Sequence, residues 1–313
     1  MLLRSKFKYF KFEDYKKLNQ FFKNRKTIRF YQSLMYLTQS KKFIYTIYKN
    51  CLIILKHGHI MHNKYVYAMM PPINLFDDPK SEIEVIDELL ENGIKIKLGE
   101  EDLLRYEFNN ISEEKGNAEF IYSSDEMSSM AGKDWGKLRN YYNRNNRFVD
   151  SKELTIRLTN RLSVFEMKEL LKVNKIWYLN HKKMKGMMYY LDNFNSMPQS
   201  NILYVRKDKD VLAYLITEEY SNGVIITALL KNYNINWKWD INAYLMMKMA
   251  TIYKEKYNKN TLMNIGAAVK DQGLYDNKMK YRPVIVNQLF DTIDHNKNNK
   301  LKSWEKIYDL LKK

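Results

Sequence analysis

The apolar residues of this chain recur at two different periods, and the period switches from segment to segment. In "DDPKSEIEVIDELLENG" (77–93), Ile83, Ile86, Leu89 and Leu90 fall near one face of a 3.6-residue repeat, acids crowd the first turns and Gly93 follows as a stop, which predicts a helix. Before it, "FIYTIYKNCLIILKHG" and "KYVYAMM" are dense in β-branched and aromatic residues and predict strands joined at the "HGH" turn. A Pro-Pro pair, the helix and the short strand "IKIKL" complete a mixed α/β layer.

A similar pattern restarts near residue 153. "ELTIRLTN" reads as a strand, and "SVFEMKELLKVNKIWYLN" as a helix opened by Ser163, with Glu166 at capping-box spacing. Strands "NILYVRK", "VLAYLITEEY" and "GVIITALL" follow, turning at "DKD" and "SNG". The helix "WDINAYLMMKMATIYKEKY" and the strand "TLMNIG" close the pattern. Strand, helix, three antiparallel strands, helix, strand is the order expected of an acyltransferase of the N-acetyltransferase superfold. The expected fold is therefore mixed α/β: two tandem N-acetyltransferase-like lobes, each a mostly antiparallel sheet flanked by helices, sharing one core. The expected division is an N-terminal lobe over 1–130, a basic connecting segment over 131–150, a C-terminal lobe over 151–290, and a turn and helix over 291–313.

Composition narrows the partners. The formal net charge of the 313 residues is +17, which favours polyanions: nucleic acid, an acidic membrane surface or a phosphorylated substrate. The abundance of Tyr, Asn, Lys and Ile also fits an AT-rich genome, in which case the charge reflects base composition and the substrate is small. The single cysteine, Cys51, lies in the apolar run "CLIIL" and reads as a packing residue. No run approaches the roughly 18 apolar residues of a membrane span, and "MLLRSKFKYFKF" lacks the apolar region of a signal peptide. A cytoplasmic protein is expected, able to touch an anionic membrane peripherally. The densest basic stretch is "AGKDWGKLRNYYNRNNR" (131–147), with Lys133, Lys137, Arg139, Arg144 and Arg147 against one acid, Asp134. It reads either as a solvated helix face or as a site for an anionic substrate, since Arg forks with neighbouring Asn donors suit phosphate or carboxylate. Gly132 permits a left-handed backbone there. Tyr141, Tyr142 and Trp135 either stack on bases or pack the helix onto the core.

Two motifs carry a resemblance. "FIYSSDEMSSMAGKDWGKLRNYYNRNNR" resembles a segment of the catalytic domain of phosphatidylglycerol lysyltransferases and their soluble relatives: Gly132, Lys133, Lys137, Arg139, Asn140, Asn143 and Arg144 match it position by position, and Asn145 replaces the family's usual Phe. "MNIGAAVKDQGLYDNKMKYRP" is similar to a second family segment through Asn264, Gly273, Leu274, Lys278, Tyr281 and Pro283, but the family's acidic positions are Gly266, Ala267 and Ala268 here. The resemblance spans about 30–285. It implies a tandem acetyltransferase-like fold that moves an amino acid from charged tRNA to a lipid hydroxyl, although no membrane-embedded domain accompanies it.

Aminoacyl transfer from an activated ester needs chiefly orientation of the acceptor and stabilisation of the oxyanion. The catalytic candidates are Lys278 as the cation, Tyr281 as a hydrogen-bond donor or acid, and Asp271 as a base, with Glu218 and Glu219 as further carboxylates; Asp240 reads as a helix cap. The substrate-binding candidates are Lys133, Lys137, Arg139, Asn140, Asn143, Arg144 and Asn264. Acetyl-CoA is a poor fit, because "LLKNYNINWKWDINAYLMM" holds no glycine in the turn that would cradle a pyrophosphate and has Asn242 where one is expected. No resident cofactor is expected, and charged tRNA is the co-substrate that the resemblance implies. His57, His59 and His62 have no cysteine or carboxylate cluster to complete a metal site and are placed at a turn. "DHNKNNKLKSWE" (294–305) imitates a calcium loop, but Asn299 replaces its glycine and Lys297, Lys300, Lys302 and Lys306 crowd it, so an ordinary turn is expected and no metal. The expected function is an aminoacyl or acyl transferase, acting on a hydroxyl or amine such as a lipid headgroup or modified nucleic acid. The alternative is a non-catalytic polyanion-binding protein on a degenerate fold, which the Gly266–Ala268 replacement favours.

Overall fold

The structure is a computed structural model that describes residues 6–60, 63–106, 108, 111–181, 186–269 and 271–292. Its elements, in chain order, are β1 (Lys8–Tyr9), α1 (Tyr15–Phe22), α2 (Leu34–Thr38), β2 (Phe43–Tyr48), β3 (Cys51–Ile60), β4 (Asn63–Ala68), β5 (Ile73–Asn74), α3 (Pro79–Glu91), β6 (Lys95–Leu98), α4 (Glu100–Tyr106), β7 (Ile111–Ser123) and α5 (Ser124–Ser129). The second half continues with α6 (Gly136–Asp150), β8 (Thr155–Thr159), α7 (Val164–His181), α8 (Gly186–Asp192), β9 (Ser200–Lys207), β10 (Asp210–Tyr220), β11 (Gly223–Lys231), α9 (Ile241–Tyr257), β12 (Leu262–Val269), α10 (Gln272–Met279) and β13 (Ile285–Thr292).

One sheet runs through both halves in the order β1-β2-β3-β4-β6-β13-β7-β12-β11-β10-β9-β8, with β5 added against β3. The expected duplication is visible in its pairing. In each half a run of antiparallel strands ends in a helical crossover to a parallel neighbour: β4-α3-β6 in the first, β11-α9-β12 in the second. The last described strand, β13, returns to sit between β6 and β7, so the two lobes share their central strands. Three packed clusters follow from this arrangement. Tyr244, Met246 and Met249 of α9 join Trp135 and Leu138 on one face. Phe21, Phe22 and Leu34 meet Leu170, Phe194 and Tyr214 on the other. Val85, Ile86 and Leu89 of α3 cover the first-half strands.

Local differences from the sequence reading have physical causes. The run "FIYTIYKNCLIIL" is itself a hairpin, because Lys49 and Asn50 both take positive φ (49° and 58°), the geometry of a tight two-residue turn. His57 and His59 consequently lie inside β3, and the "HGH" turn is not formed there; His62 lies outside the described residues. Among the described residues no cluster of His, Cys, Asp and Glu could hold a metal. Helix α3 buries Val85, Ile86 and Leu89 as its apolar stripe, but Ile83 is exposed and Glu82 takes the inward position, paired with Arg25 at 3.0 Å. The Ser163–Glu166 capping box forms as expected, and Cys51 is buried. The calcium-like stretch 294–305 lies outside the described residues. No helix among those described is long and apolar enough to cross a membrane.

Candidate active site

Two backbone irregularities build the site. Strands β11 and β12 are parallel and pair only at Val224–Met263 and Ile225–Asn264, after which they diverge. On β11 the register against β10 jumps from Ile226 to Ala228, leaving Thr227 as the extra residue; on β12 it jumps between Asn264 and Ala267 against β7. Bulges of this kind bend a strand and re-aim its groups. A cavity of about 630 Å³ opens in the divergence, within the range of roughly 300–1,000 Å³ usual for small-molecule sites. Its walls are Thr227, Ala228 and Leu229 from β11, Ile265–Ala267 from β12, Trp177 and Tyr190 from α7 and α8, and Phe30 and Tyr36 from the segment between β1 and β2.

Lys278 and Tyr281 both line this cavity. The Lys278 ammonium donates to the carbonyl oxygens of Ile265, Gly266 and Ala267 at 3.0, 2.8 and 3.0 Å. Three acceptors match the three N–H bonds of an ammonium, so this geometry holds the charged form, while burial pushes the amine down to about 7 and the carboxylate of Glu119 opposes that shift. Its donors are already engaged. Lys278 therefore fixes the bulged wall and places a positive charge behind it, rather than reaching into the cavity as a free base. Tyr281 is buried, with its hydroxyl pushed well up by desolvation and by Asp240, so it stays protonated as a donor.

Asn264 is fully buried behind the same wall. It donates to the Ile28 carbonyl at 2.7 Å and accepts from the Gly266 N–H at 2.7 Å, which locks the bulge. Gly266 has φ +75°, and a Cβ there would meet the Phe30 ring at 3.0 Å, so both the backbone and the neighbouring ring require glycine. The absence of an acid at 266 thus has a steric reason in this chain. Behind Phe30 lies a buried ion pair that the sequence reading missed. Arg29 Nε donates to Glu119 at 2.9 Å and Arg29 Nη1 to Asp102 at 2.8 Å, while Glu119 also accepts the Phe30 N–H at 3.2 Å. Its one local signal was an acid between apolar neighbours in "AEFIY".

The remaining candidates separate by position. Asp271 is exposed and accepts the Leu274 N–H at 3.0 Å as the cap of α10, so the base expected there is a structural cap. Asp240 caps α9 through Ala243. Glu218 is buried under the start of α2, accepting from Ser33, from the Leu34 and Met35 N–H groups and from the Tyr220 hydroxyl. Glu219 is engaged by Lys256, Tyr257 and Asn201. In the basic segment Lys133, Lys137, Asn140 and Asn143 are exposed. Arg139 is turned back onto the carbonyls of Met130 and Gly132 at 2.6 and 3.3 Å, closing the end of α5. Gly132 takes φ +89° as anticipated.

Within the basic segment, Arg144 stands against a cavity-lining ring. Its guanidinium, oriented by Asn140 at 3.1 Å, lies 4.1 Å from the ring centre of Trp239. Trp239 lines a second cavity of about 610 Å³, which shares Asn242, Asn277 and Tyr281 with the first. Asn145, which stands where the resemblance has Phe, is buried and accepts the indole N–H of Trp237 at 2.9 Å on this second cavity's loop. A polar side chain at 145 is therefore matched by a tryptophan elsewhere.

The sequence profile of the phosphatidylglycerol lysyltransferase C-terminal family matches residues 23–290. The chain belongs to that family. It is accordingly an acyltransferase, built on tandem N-acetyltransferase-like lobes. Three solved structures share the family fold. A conserved protein of unknown function from Bacteroides thetaiotaomicron is 15% identical, with TM-score 0.70 over 92% of this chain and 98% of that one. L-PGS from Bacillus licheniformis is 17% identical, with TM-score 0.65 over 95% and 97%. FemX is 9% identical, with TM-score 0.60 over 98% and 100%. At these identities the likeness is one of fold. None of the curated proteins matches the chain in sequence.

Proposed function

We propose that this family member is an aminoacyltransferase that receives an activated amino acid from charged tRNA and passes it to a hydroxyl or amine acceptor. The observation that carries the reading is the chamber at the β11–β12 divergence, roomy enough for an aminoacyl ester and adjoining a second, cation-rimmed cavity that shares Asn242, Asn277 and Tyr281 with it. The acceptor oxygen or nitrogen attacks the ester carbonyl, a tetrahedral oxyanion forms, and the tRNA 3′-oxygen leaves with the acceptor's proton. The chain's contribution is orientation in a largely apolar chamber, a protonated Tyr281 hydroxyl as donor, and the fixed charge of Lys278 behind the wall. Asn242 offers its buried, unpartnered Oδ1 to an N–H or O–H of the bound group.

The test follows radiolabelled amino acids carried on tRNA, offered together with anionic phospholipid vesicles or with small hydroxyl and amine compounds. Label should move from tRNA to one acceptor class, and Asn242→Leu, which removes the acceptor atom at similar size, should slow the movement about tenfold or more. Label that stays on the tRNA with both acceptor classes, or transfer indifferent to Asn242→Leu, overturns the reading.

A further inference from the structure

We propose that the second cavity is a nucleotide site, in which a nucleobase stacks on the aromatic rings of the 232–240 loop and its phosphate is held by Lys231 and Lys238. The cavity's own groups carry this assignment. The question of where the nucleotide comes from rests on the donor reading above. At about 610 Å³ the space suits a mononucleotide. Its loop carries Tyr233, Trp237 and Trp239 within seven residues. Trp237 is committed to packing: its N–H is held by Asn145, and its ring lies 5.1 Å from that of Phe148. Tyr233 and Trp239 are only partly covered, and cations stand beside them, together with Tyr141, whose ring centre lies 6.5 Å from that of Trp239. Arg144 lies 4.1 Å from the centre of the Trp239 ring, Lys238 5.0 Å from it, and Lys231 4.6 Å from that of Tyr233. Rings interleaved with cations at this range are the arrangement that grips unpaired bases and their phosphates.

The charge around the cavity is net positive and suits a phosphate group. Lys280 is paired with Asp240, so these two cancel. No ion pair engages Lys231 or Lys238 among the described residues. The start of α9 is not the phosphate seat, because Asp240 already occupies the Ala243 N–H there; the two lysines are. At the cavity's inner end the unpartnered Asn242 Oδ1 provides the acceptor that a base amine or ribose hydroxyl requires.

Intrinsic tryptophan emission of the full chain reads the binding directly, with a short single-stranded RNA, AMP and inorganic tripolyphosphate as probes. RNA and AMP should quench the emission, and Trp239→Leu should weaken both about tenfold while leaving tripolyphosphate binding unchanged. The Lys231→Ala, Lys238→Ala double variant, on exposed positions that do not disturb the fold, should weaken all three and flatten their salt dependence. RNA binding tighter than AMP identifies a polynucleotide end as the source, whereas equal affinities identify a free nucleotide; either supports the site. Tripolyphosphate that matches RNA at every salt concentration, with no effect of Trp239→Leu, overturns it as mere phosphate attraction. Trp239-dependent binding without aminoacyl transfer would leave this site standing and remove the donor assignment, and transfer without such binding would do the reverse.

Discussion

Lys278 and Lys280 stand two residues apart at the end of α10 and belong to two different kinds of chemistry. Lys278 faces inward, where three carbonyl oxygens and the Glu119 carboxylate define its surroundings and burial pushes its amine down to about 7. Lys280 faces the second cavity, exposed and paired with Asp240. The same contrast divides the two cavities. The inner one is walled by bulged strands and aromatic rings held from behind by buried ion pairs, and the outer one by a loop whose lysines remain in water. A buried charge is expensive to leave unpaired, and an exposed one is screened. Substitutions on the inner side should therefore register in stability, and those on the outer side in binding.

The sharpest way to break this comparison is at Glu119. Glu119→Gln strips Arg29 of one of its two buried carboxylates, leaving Asp102, and should cost about 3 kcal/mol in urea denaturation, the low end for opening one side of a buried pair. A loss below about 1 kcal/mol would mean that the inner wall does not depend on that pair. Next comes Glu218, whose carboxyl is pushed up to about 7 by burial, against hydrogen bonds from Ser33, Tyr220 and the Met35 and Leu34 N–H groups. A carboxyl raised in the folded state binds its proton more tightly there than when unfolded. Its contribution is thus complete below the unfolded value of about 4.5 and is lost as pH rises toward 7, a tilt of about 3 kcal/mol. Stability measured across that window should fall in the parent protein relative to Glu218→Gln, and parallel curves would contradict the placement. The smallest effects compare the two lysines directly. Lys278→Met should cost about 1–3 kcal/mol by orphaning buried carbonyls, and Lys280→Met under about 1 kcal/mol. Equal losses would erase the distinction between the two sides.

The element order was legible because it rests on local periodicity. The α9 helix, the β9–β10–β11 meander and the Ser163–Glu166 cap all involve neighbours within a few residues. The resemblance pointed to Lys278 and Tyr281, which the fold brings to one cavity, although the motif did not show that Lys278's donors are committed to backbone. Asp271 illustrates the limit. A carboxylate three residues before an amide it can cap looks, in sequence, like any acid in a loop, and only the helix that starts there assigns it. The basic stretch left open whether its residues share one face, and the fold separates them: Arg139 folds back on α5, Lys133 and Lys137 face solvent, and Arg144 meets Trp239 from a loop 95 residues later.

By itself the sequence determined the two α/β patterns and the net charge of +17, because composition and periodicity survive without any knowledge of contacts, and its motifs carried the resemblance to the family that its profile match shows. Tertiary structure alone decided where the chamber lies and what backs it. Phe30 over Gly266, Glu119 beneath Arg29 and Asn145 against Trp237 join residues 90 to 236 positions apart. Such pairings depend on which strands become neighbours, and β13 inserting between β6 and β7 is a long-range choice that no local pattern encodes.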